Sequence, residues 1–566
     1  MGLSPEPQSL ASDRPPLAKT RLAPEVINFG PAPTMSPVLP SFPSSLRLCF
    51  SLPLVGVGGG LMALALPPVS AWPLAWVALV PLWGIILASP GQPWWYPALH
   101  GLVWGLAYYG LSLVWITHLH PLMWLGVPWL GSVAIALGAW IFISLWGASC
   151  SVLWSLALGL LVRHWPQRVG LRWLAGIALW CGLESLRNQS PLDWSPLSLT
   201  QSPGNLWLLH LARLSGPALV TAVVVGGNGL LAELAHGQWR GGPARLPNRR
   251  HRAGLAVGLL VLVIAGGWLP QPQGLEDPTQ VLHLGLIQGN IPTREKLTPA
   301  GVRQALQIYG EGYRALASQG VGAVITPEGA LPVIWQAQEP ATRFFRDLVD
   351  QTGVPLWLGT FAPATRGDRG AYTQSLLELR PDGHIYGRYN KVKLVPLGEY
   401  IPLEAVLGQI LSRLSPLDSY LVPGASHQTF RSQVGVAAVG ICYESAYSEL
   451  LRRQVKEGAE FMVTSSNNDP YPVGMMAQHH ALDVLRAVES DRWALRVTNT
   501  GLSGLVDNHG QTRWLGPPHR ATLHQASLYR RQSQTPYVRW GDWFTPTLLV
   551  ITTLWAGGLR LRSKLL

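Results

Sequence analysis

The chain has 566 residues, of which 48% are hydrophobic and only 13% are charged, and it contains 26 tryptophans. This length is too great for one ordinary hydrophobic core, and the composition is too apolar for a wholly soluble protein. The formal net charge of +12 would suit a nucleic-acid partner. Because the basic residues instead cluster in short loops between apolar segments, we interpret them as signals of membrane topology and expect no nucleic-acid partner.

The N-terminal segment, residues 1–46, is rich in proline and serine and has no early apolar stretch. This pattern predicts a disordered tail, and it differs from that of a cleaved signal peptide. The chain has only four cysteines, which excludes a disulfide scaffold. Three of them fall inside apolar stretches, where cysteine is usually a small core residue, and only Cys442 lies outside.

Most of residues 47–270 predicts a transmembrane domain of about seven helices, and residues 543–566 predict a further helix with a basic tail. A spanning helix needs roughly 20 mostly apolar residues. One stretch, 130–162, is too long for a straight crossing and predicts a tilted helix or an additional interfacial piece. The eight candidate spans are 47–66, 73–89, 97–117, 130–162, 172–187, 215–236, 253–269 and 543–559.

Lysine and arginine mark the cytoplasmic side of a membrane protein. Eight crossings would place all four basic clusters on one side and residues 271–542 on the other. We therefore expect both termini in the cytoplasm and the polar domain outside it. The loop at 188–214 falls on this same outer face, where it could shape a substrate entrance or simply anchor helix ends through its tryptophan. The clusters contain Arg14, Lys19, Arg21 and Arg47, then Arg163, Arg168 and Arg172, then Arg240, Arg245, Arg249, Arg250 and Arg252, and finally Arg560, Arg562 and Lys564.

Residues 271–542 predict an α/β domain, because short apolar runs alternate with amphipathic segments. Turn sequences at 381–383 and 507–510 predict hairpins. Helices are predicted at about 300–318, 445–457 and 477–491. Strands are predicted at 281–287, 323–326, 356–359, 375–379, 434–441, 461–464, 494–498 and 502–506.

Three residues of the polar domain have the chemistry of acyl transfer through a thioester. Cys442 ends an apolar strand-like run and precedes a predicted helix, whose N–H groups and dipole would favour a thiolate. Glu328 could take the thiol proton, and Lys391 could stabilise the oxyanion of a tetrahedral intermediate. Each has a structural alternative: a core cysteine, a loop charge and a surface lysine. Their common position at strand ends, in this order, favours the catalytic interpretation.

Longer motifs surround these residues, and through them the chain resembles the nitrilase superfamily and, within it, the apolipoprotein N-acyltransferase family. The resemblance covers nearly everything after the N-terminal tail. The lysine motif is long and specific, and soluble nitrilases lack the eight predicted spans. The motifs are Ile287-Gln288-Gly289-Asn290-Ile291-Pro292, Pro327-Glu328-Gly329-Ala330-Leu331-Pro332, residues 389–402 around Lys391, and Ile441-Cys442-Tyr443-Glu444.

The resemblance implies an α-β-β-α sandwich with Glu328 as general base, Lys391 in the oxyanion site and Cys442 as nucleophile. It implies supporting roles for Glu399, Tyr443 and Glu444, with Glu399 orienting Lys391 or tuning its charge. Two alternatives remain open at this stage: Glu399 could pair with a neighbouring lysine such as Lys393, and Lys393 could itself be the catalytic lysine. The resemblance implies no cofactor and no metal.

The family resemblance also implies a substrate pair and a place in the cell. Cys442 would accept an acyl chain from a membrane phospholipid and pass it to the α-amino group of the lipid-modified N-terminal cysteine of an apolipoprotein. The enzyme would be a multi-pass protein of the bacterial inner membrane, with its catalytic domain on the periplasmic side, and a monomer. The rival interpretations are a membrane-tethered amidase that uses the same triad, and a transporter or scaffold whose nitrilase-like domain only binds.

Two positions depart from the family pattern. The family usually has tryptophan after the lysine that corresponds to Lys296, whereas this chain has Leu297. After the Asn468-Asp469 pair the family commonly has Trp-Phe, whereas this chain has Pro470-Tyr471. We expect both positions to line the lipid or acceptor entrance and to leave the triad intact.

Overall fold

The computed structural model describes residues 44–239, 277–364, 370–396, 398–400, 421–469 and 471–565. Residues 1–43 of the predicted tail, the predicted span at 253–269 and Pro470 lie outside this part. The helices of the N-terminal half are α1 (Ser44–Leu64), α2 (Val80–Ala88), α3 (Trp95–Ser112), α4 (Trp129–His164), α5 (Val169–Gln189), α6 (Leu206–Leu209), α7 (Ala212–Ser215) and α8 (Pro217–Trp239).

In the ranges that the structure describes, four helices are long and apolar enough to cross a membrane: α4, α5, residues Pro217–His236 of α8, and Phe544–Arg562. Leu48–Leu64 and Trp72–Ala88 are apolar but shorter. The predicted span at 73–89 is broken, because a 3-10 turn at Trp72–Trp76 precedes α2 and both begin with a proline in the first turn. Proline is suited to the start of a helix since it has no N–H to leave unpaired.

Helix α4 has 36 residues and is therefore about 54 Å long at 1.5 Å per residue. A bilayer hydrocarbon core is about 30 Å thick, so this helix is longer than a straight crossing requires, as the sequence predicts for residues 130–162. Helix α4 packs along α3, and between them the chain forms 3-10 turns at Val114–Leu119 and Met123–Leu125.

The described part of the polar domain contains two sheets. The strands are β1 (Val281–Gln288), β2 (Ala323–Ile325), β3 (Leu331–Ile334), β4 (Leu356–Pro363), β5 (Tyr372–Leu379), β6 (Ile385–Asn390), β7 (Phe430–Ser432), β8 (Gly435–Ile441), β9 (Phe461–Ser466), β10 (Ala494–Thr498), β11 (Gly504–Val506), β12 (Thr512–Leu515) and β13 (Thr522–Tyr529). In the first sheet, the strand order is β13-β1-β2-β4-β5-β6, and β3 pairs with β4. In the second, the order is β12-β11-β10-β9-β8-β7. The centre of each sheet is parallel and its edges are antiparallel.

The remaining helices flank the sheets or lead to the last apolar helix. The predicted helix at 300–318 is α10, which presents buried Tyr309 and Tyr313 to the first sheet. The helix predicted at 445–457 instead begins at Ser448, after a 3-10 turn at Cys442–Ala446. The helices are α9 (Thr293–Lys296), α10 (Pro299–Ala317), α11 (Pro340–Thr352), α12 (Ser448–Lys456), α13 (Val473–Ser490), α14 (Pro536–Trp540) and α15 (Phe544–Leu565).

Three buried clusters define the layers. One lies between the two sheets and includes Leu286, Trp357, Val439 and Val463. A second joins the outer face of the first sheet to α10 and α11. These layers form the α-β-β-α sandwich implied by the resemblance.

The third cluster joins α12 and α13, on the outer face of the second sheet, to the apolar helices of the N-terminal half. Leu451 of α12 and Leu485 of α13 share this cluster with Trp83 and Val224. Within the unit Cys49–Leu566, the sandwich therefore packs on the membrane-type helices through one of its helical layers.

Candidate active site

The candidate catalytic residues follow strands of both sheets. Glu328 comes after β2, Lys391 directly after β6, and Cys442 directly after β8. Asn467 directly follows β9, the parallel neighbour of β8. Because carboxyl ends of parallel strands meet at one edge of a sheet, residues that are distant in sequence come together here.

Lys391 lies between two carboxylates. Its Nζ donates to Oε1 of Glu328 at 2.7 Å and to Oε1 of Glu399 at 2.5 Å. The lysine side chain is only 1% exposed. Burial opposes its charge, but the two carboxylates outweigh burial and hold the pKa of Lys391 well above its usual range. An ammonium group is therefore fixed at this point, as an oxyanion site requires.

One residue, Asn467, links Glu328 to Cys442. Its N–H donates to Oε2 of Glu328 at 3.0 Å, and its carbonyl oxygen lies 3.7 Å from Sγ of Cys442 as the acceptor of the thiol. The structure thus brings Glu328, Lys391 and Cys442 into one buried group.

Cys442 occupies a turn that aims its side chain into this group. Its φ of +53° is left-handed, a conformation uncommon outside glycine and often found at functional sites. Burial and the negative charge of Glu328 raise the pKa of Cys442 to about 12, although the charge of Lys391 opposes the rise. A neutral thiol is therefore favoured at rest, and acyl transfer through this thiol would require removal of its proton, the step expected of Glu328.

Glu399 completes the pair around Lys391. Its second oxygen accepts the N–H of Val395 at 2.8 Å, which closes the lysine motif on itself. Burial raises the pKa of Glu399, and the charge of Lys391 opposes the rise. Lys393, the alternative lysine, lies elsewhere, with Nζ 4.6 Å from the centre of the Tyr447 ring.

Glu444 joins the lysine loop to the cysteine turn. One oxygen accepts the N–H groups of Val392 at 2.5 Å and Lys393 at 2.9 Å; the other accepts the N–H of Ile441 at 2.7 Å and the hydroxyl of Tyr389 at 3.0 Å. Burial raises the pKa of Glu444 to about 7, although the three backbone N–H donors favour the carboxylate. This side chain fixes the segments on which Lys391 and Cys442 stand.

Tyr443 connects the cysteine turn to residues 190–194 between α5 and α6, which we call the docking loop. Its hydroxyl lies 3.0 Å from the carbonyl oxygen of Pro191 and accepts the N–H of Asp193 at 3.0 Å. Its ring stacks on Trp194 with centroids 6.0 Å apart. Asp193 is buried and paired with Arg187 of α5 at 2.9 Å. Of the two alternatives for this region, the contacts favour a part of the site over a simple membrane anchor.

Several neighbours of the site were not found by sequence reasoning. His479 of α13 lies with Nε2 2.8 Å from the carbonyl oxygen of Cys442. Lys296 is buried and donates to the backbone oxygen of Glu328 at 3.3 Å. Asn467 follows an apolar strand, as the three candidate catalytic residues do, and this position is the sequence signal that could have predicted it.

Tyr471, one of the departures from the family pattern, packs edge-on against Trp115 with ring centroids 5.1 Å apart.

A glycine allows the Glu328 segment to approach β4. A Cβ atom built on Gly359 would lie 2.0 Å from the carbonyl oxygen of Pro327 and 3.1 Å from the Cα of Glu328. Any side chain at this position would therefore displace the base. Within the described residues, no group of three or more histidine, cysteine, aspartate or glutamate side chains is arranged to hold a metal ion.

Comparison with known proteins agrees with this geometry. Residues 283–522 match the family model of carbon-nitrogen hydrolases, and residues 58–230 match that of the apolipoprotein N-acyltransferase N-terminal domain. A curated relative from Nostoc sp., named apolipoprotein N-acyltransferase, is 45% identical over 89% of this chain and 100% of its own length. The chain belongs to the apolipoprotein N-acyltransferase family.

Other members of the apolipoprotein N-acyltransferase family are similar over comparable lengths. The relative from Thermosynechococcus vestitus is 46% identical over 88% of this chain and 94% of its own, and that from Synechocystis sp. is 41% identical over 87% and 98%. A solved structure, Saccharomyces cerevisiae Nit3 of the nitrilase superfamily, is 20% identical and covers 44% of this chain and 90% of its own with a TM-score of 0.35. The carbon-nitrogen hydrolase match contains the triad, and the N-terminal match contains the docking loop.

Proposed function

We propose that this chain is an apolipoprotein N-acyltransferase, which moves an acyl chain from a membrane phospholipid to the α-amino group of the S-diacylglyceryl-cysteine at the N-terminus of lipoproteins. Membership of the family supports this acyl transfer over the amidase alternative. The observation that carries the mechanism is Lys391 held between Glu328 and Glu399 beside the Cys442 thiol.

The first half-reaction would form a thioester. Sγ of Cys442 attacks the ester carbonyl carbon of the phospholipid while the Glu328 carboxylate takes the thiol proton. The carbonyl oxygen becomes an oxyanion, which the Lys391 ammonium group stabilises; losing one such donor typically costs about 10²–10³ in rate. The intermediate collapses by breaking the carbon–oxygen bond, and Glu328 returns the proton to the departing lysophospholipid.

The second half-reaction would use the same groups in reverse. The α-amino group of the acceptor attacks the thioester carbonyl carbon, and Glu328 takes a proton from the amine as the carbon–nitrogen bond forms. The carbon–sulfur bond then breaks, and the Cys442 thiolate regains the proton from Glu328. A site from which water is excluded protects the thioester from hydrolysis.

The placement of the chain in the membrane is part of the proposal. Residues 47–270 would form the transmembrane domain and 271–542 the catalytic domain, with the last helix anchoring the C-terminus from residue 543 onward. The catalytic domain would face the periplasm and both termini the cytoplasm, and the enzyme would act as a monomer. Support comes from the basic clusters and from the four helices, in the part of the chain that the structure describes, that are long and apolar enough to span. Both substrates carry acyl chains in the bilayer, which a membrane-anchored enzyme meets in two dimensions.

Mass spectrometry of the intact protein tests the mechanism. The full-length chain is incubated with phosphatidylethanolamine vesicles, and we expect an added acyl mass on Cys442 that a diacylated lipopeptide discharges as triacylated product. Cys442→Ala should carry no acyl group, whereas Cys49→Ala, at an exposed cysteine, should behave like the wild type. Discharge to water in place of the lipopeptide would support the amidase, and transfer by Cys442→Ala would rule out the assigned nucleophile.

A further inference from the structure

A second buried lysine faces the candidate general base. Lys296 ends the short helix α9, which follows β1, and it is 4% exposed. Its Nζ donates to the backbone oxygen of Glu328 at 3.3 Å. A Cβ built on Gly329 would lie 3.3 Å from the same Nζ, so the ammonium group lies directly against the backbone that carries Glu328.

Lys296 has more charged neighbours than hydrogen-bond partners. Across the part of the chain that the structure describes, the Glu328 carbonyl is the one hydrogen-bond acceptor of Nζ. Glu328, Asp469 and Cys442 are close enough to favour its charge, but burial outweighs them and lowers the pKa of Lys296 to about 8. Burial of a cation destabilises the folded protein unless opposite charges or hydrogen bonds compensate for the lost hydration. Titratable groups perturbed in this way are concentrated at functional sites.

We propose that Lys296 is a positioning residue for acyl transfer: its ammonium group holds the Glu328 backbone in place, so that the Glu328 carboxylate is positioned to accept the Cys442 proton. This inference rests on the proposed function of Cys442 as the acylated nucleophile. Lys391 would then hold the carboxylate end of Glu328 while Lys296 holds its main chain.

The charge balance of the site explains why a second cation is needed. Among the described residues of the site, Glu328, Glu399 and Asp469 contribute three carboxylates, and Lys391 and Lys296 are the two ammonium groups beside them. Transfer of the thiol proton to Glu328, and the later formation of the oxyanion, move one negative charge within this group without changing its total. In a buried site such charges are weakly screened, so the loss of Lys296 would leave the moving charge less well balanced and the Glu328 backbone without its ammonium donor.

The pH dependence of Cys442 acylation tests this role. The full-length wild type, Lys296→Met, Lys296→Arg and the surface control Lys456→Met are mixed with phosphatidylethanolamine vesicles, and the acyl adduct is followed by mass without an acceptor. Cys442 and Lys391 do not titrate near pH 8, because their pKa values lie far above it. Glu444, with a pKa of about 7, contributes equally in every variant.

We expect the wild-type rate to fall above about pH 8, where Lys296 loses its proton. Lys296→Met should acylate about 10–100-fold more slowly, and its rate should not decline above about pH 8, because it has no ammonium group to lose a proton there. Lys296→Arg stays charged and should also lose the decline above pH 8. Lys456→Met should match the wild type.

Three other outcomes would overturn the inference. A pH–rate profile of Lys296→Met with the same shape as the wild-type profile would show that Lys296 has only a structural role. If the methionine variant does not fold, Lys296→Arg replaces it in the test. An acylation rate that still declines above pH 8 in Lys296→Arg would then show that Lys296 has only a structural role. Absence of any adduct in the wild type would instead reject the proposed function itself, and the Lys296 role with it.

Discussion

At the scale of single residues, the site is built from charges that restrain one another. The ammonium group of Lys391 is shared by Glu328 and Glu399, and the thiol of Cys442 stays neutral because burial raises its pKa. Removing one partner of such a buried group typically costs about 3–5 kcal/mol, since the remaining charge is left uncompensated. The side chains at the site are thus interdependent, and Glu444 is the one that fixes the backbone beneath two of them.

Glu444→Gln tests this fixation. The glutamine amide nitrogen would place a donor opposite either the Val392 and Lys393 N–H groups or the Ile441 N–H, where an acceptor is required. A buried group left without its partner costs about 1–3 kcal/mol, so we expect a lower unfolding temperature together with slower acylation of Cys442. The control Glu449→Gln, on the surface of α12, should change neither by much. Equal unfolding temperatures and rates for wild type and Glu444→Gln would contradict this role.

At the scale of elements, two sheets and one loop from the N-terminal half form the site together. Glu328 and Lys391 follow strands of the first sheet, and Cys442 and Asn467 follow strands of the second. The docking loop contacts Tyr443. The loop is itself held by Arg187 of α5 through Asp193. The orientation of the cysteine turn therefore depends on an element outside the sandwich.

Tyr443→Phe tests the contribution of the Tyr443 hydroxyl separately from that of its ring. Phenylalanine keeps the stacking on Trp194 but cannot accept the N–H of Asp193. We expect faster hydrogen exchange of the Asp193 amide and a weaker apparent affinity for phospholipid, with little change in overall fold. Tyr386→Phe, at a half-exposed tyrosine of β6, is the matched control. Unaltered exchange at Asp193 would mean that the hydroxyl does not hold the loop.

At the scale of the whole molecule, the sandwich and the apolar helices share one core. Helix α13 contributes to this core, and its Gln478 side chain reaches the carbonyl oxygens of Pro67 and Ser112 at 3.2 Å and 3.1 Å. The Asp491 carboxylate, just after α13, pairs with Arg213 of α7 at 3.3 Å. Apolar contacts, hydrogen bonds and an ion pair together hold the sandwich against the N-terminal half of the chain.

The proposed topology predicts where a reporter would be exposed. A reporter enzyme that is active only outside the cytoplasm, inserted between Gly367 and Gly370, should be active, because this segment belongs to the polar domain. The same reporter fused after Leu566 should be inactive. The opposite result at both positions would reverse the orientation inferred from the basic clusters.

The sequence by itself predicted the candidate triad and located most of the elements. A cysteine, a glutamate and a lysine at strand ends formed that prediction, and alternation of apolar runs located β1, β2, β4, β5 and β8–β11, since burial of a strand demands apolar residues locally. Short or exposed strands such as β12 have no such pattern. The sequence could not find them, because their position depends on pairing with distant strands.

Only the tertiary structure decided which charges meet. Lys391 and Lys393 are two residues apart and chemically equivalent, yet one lies between Glu328 and Glu399 and the other over Tyr447. The pKa of Cys442 likewise depends on burial and on distant carboxylates, which raise it and which the local sequence does not show. Local sequence specifies the reactive groups, whereas their electrostatic environment arises from residues brought together by folding.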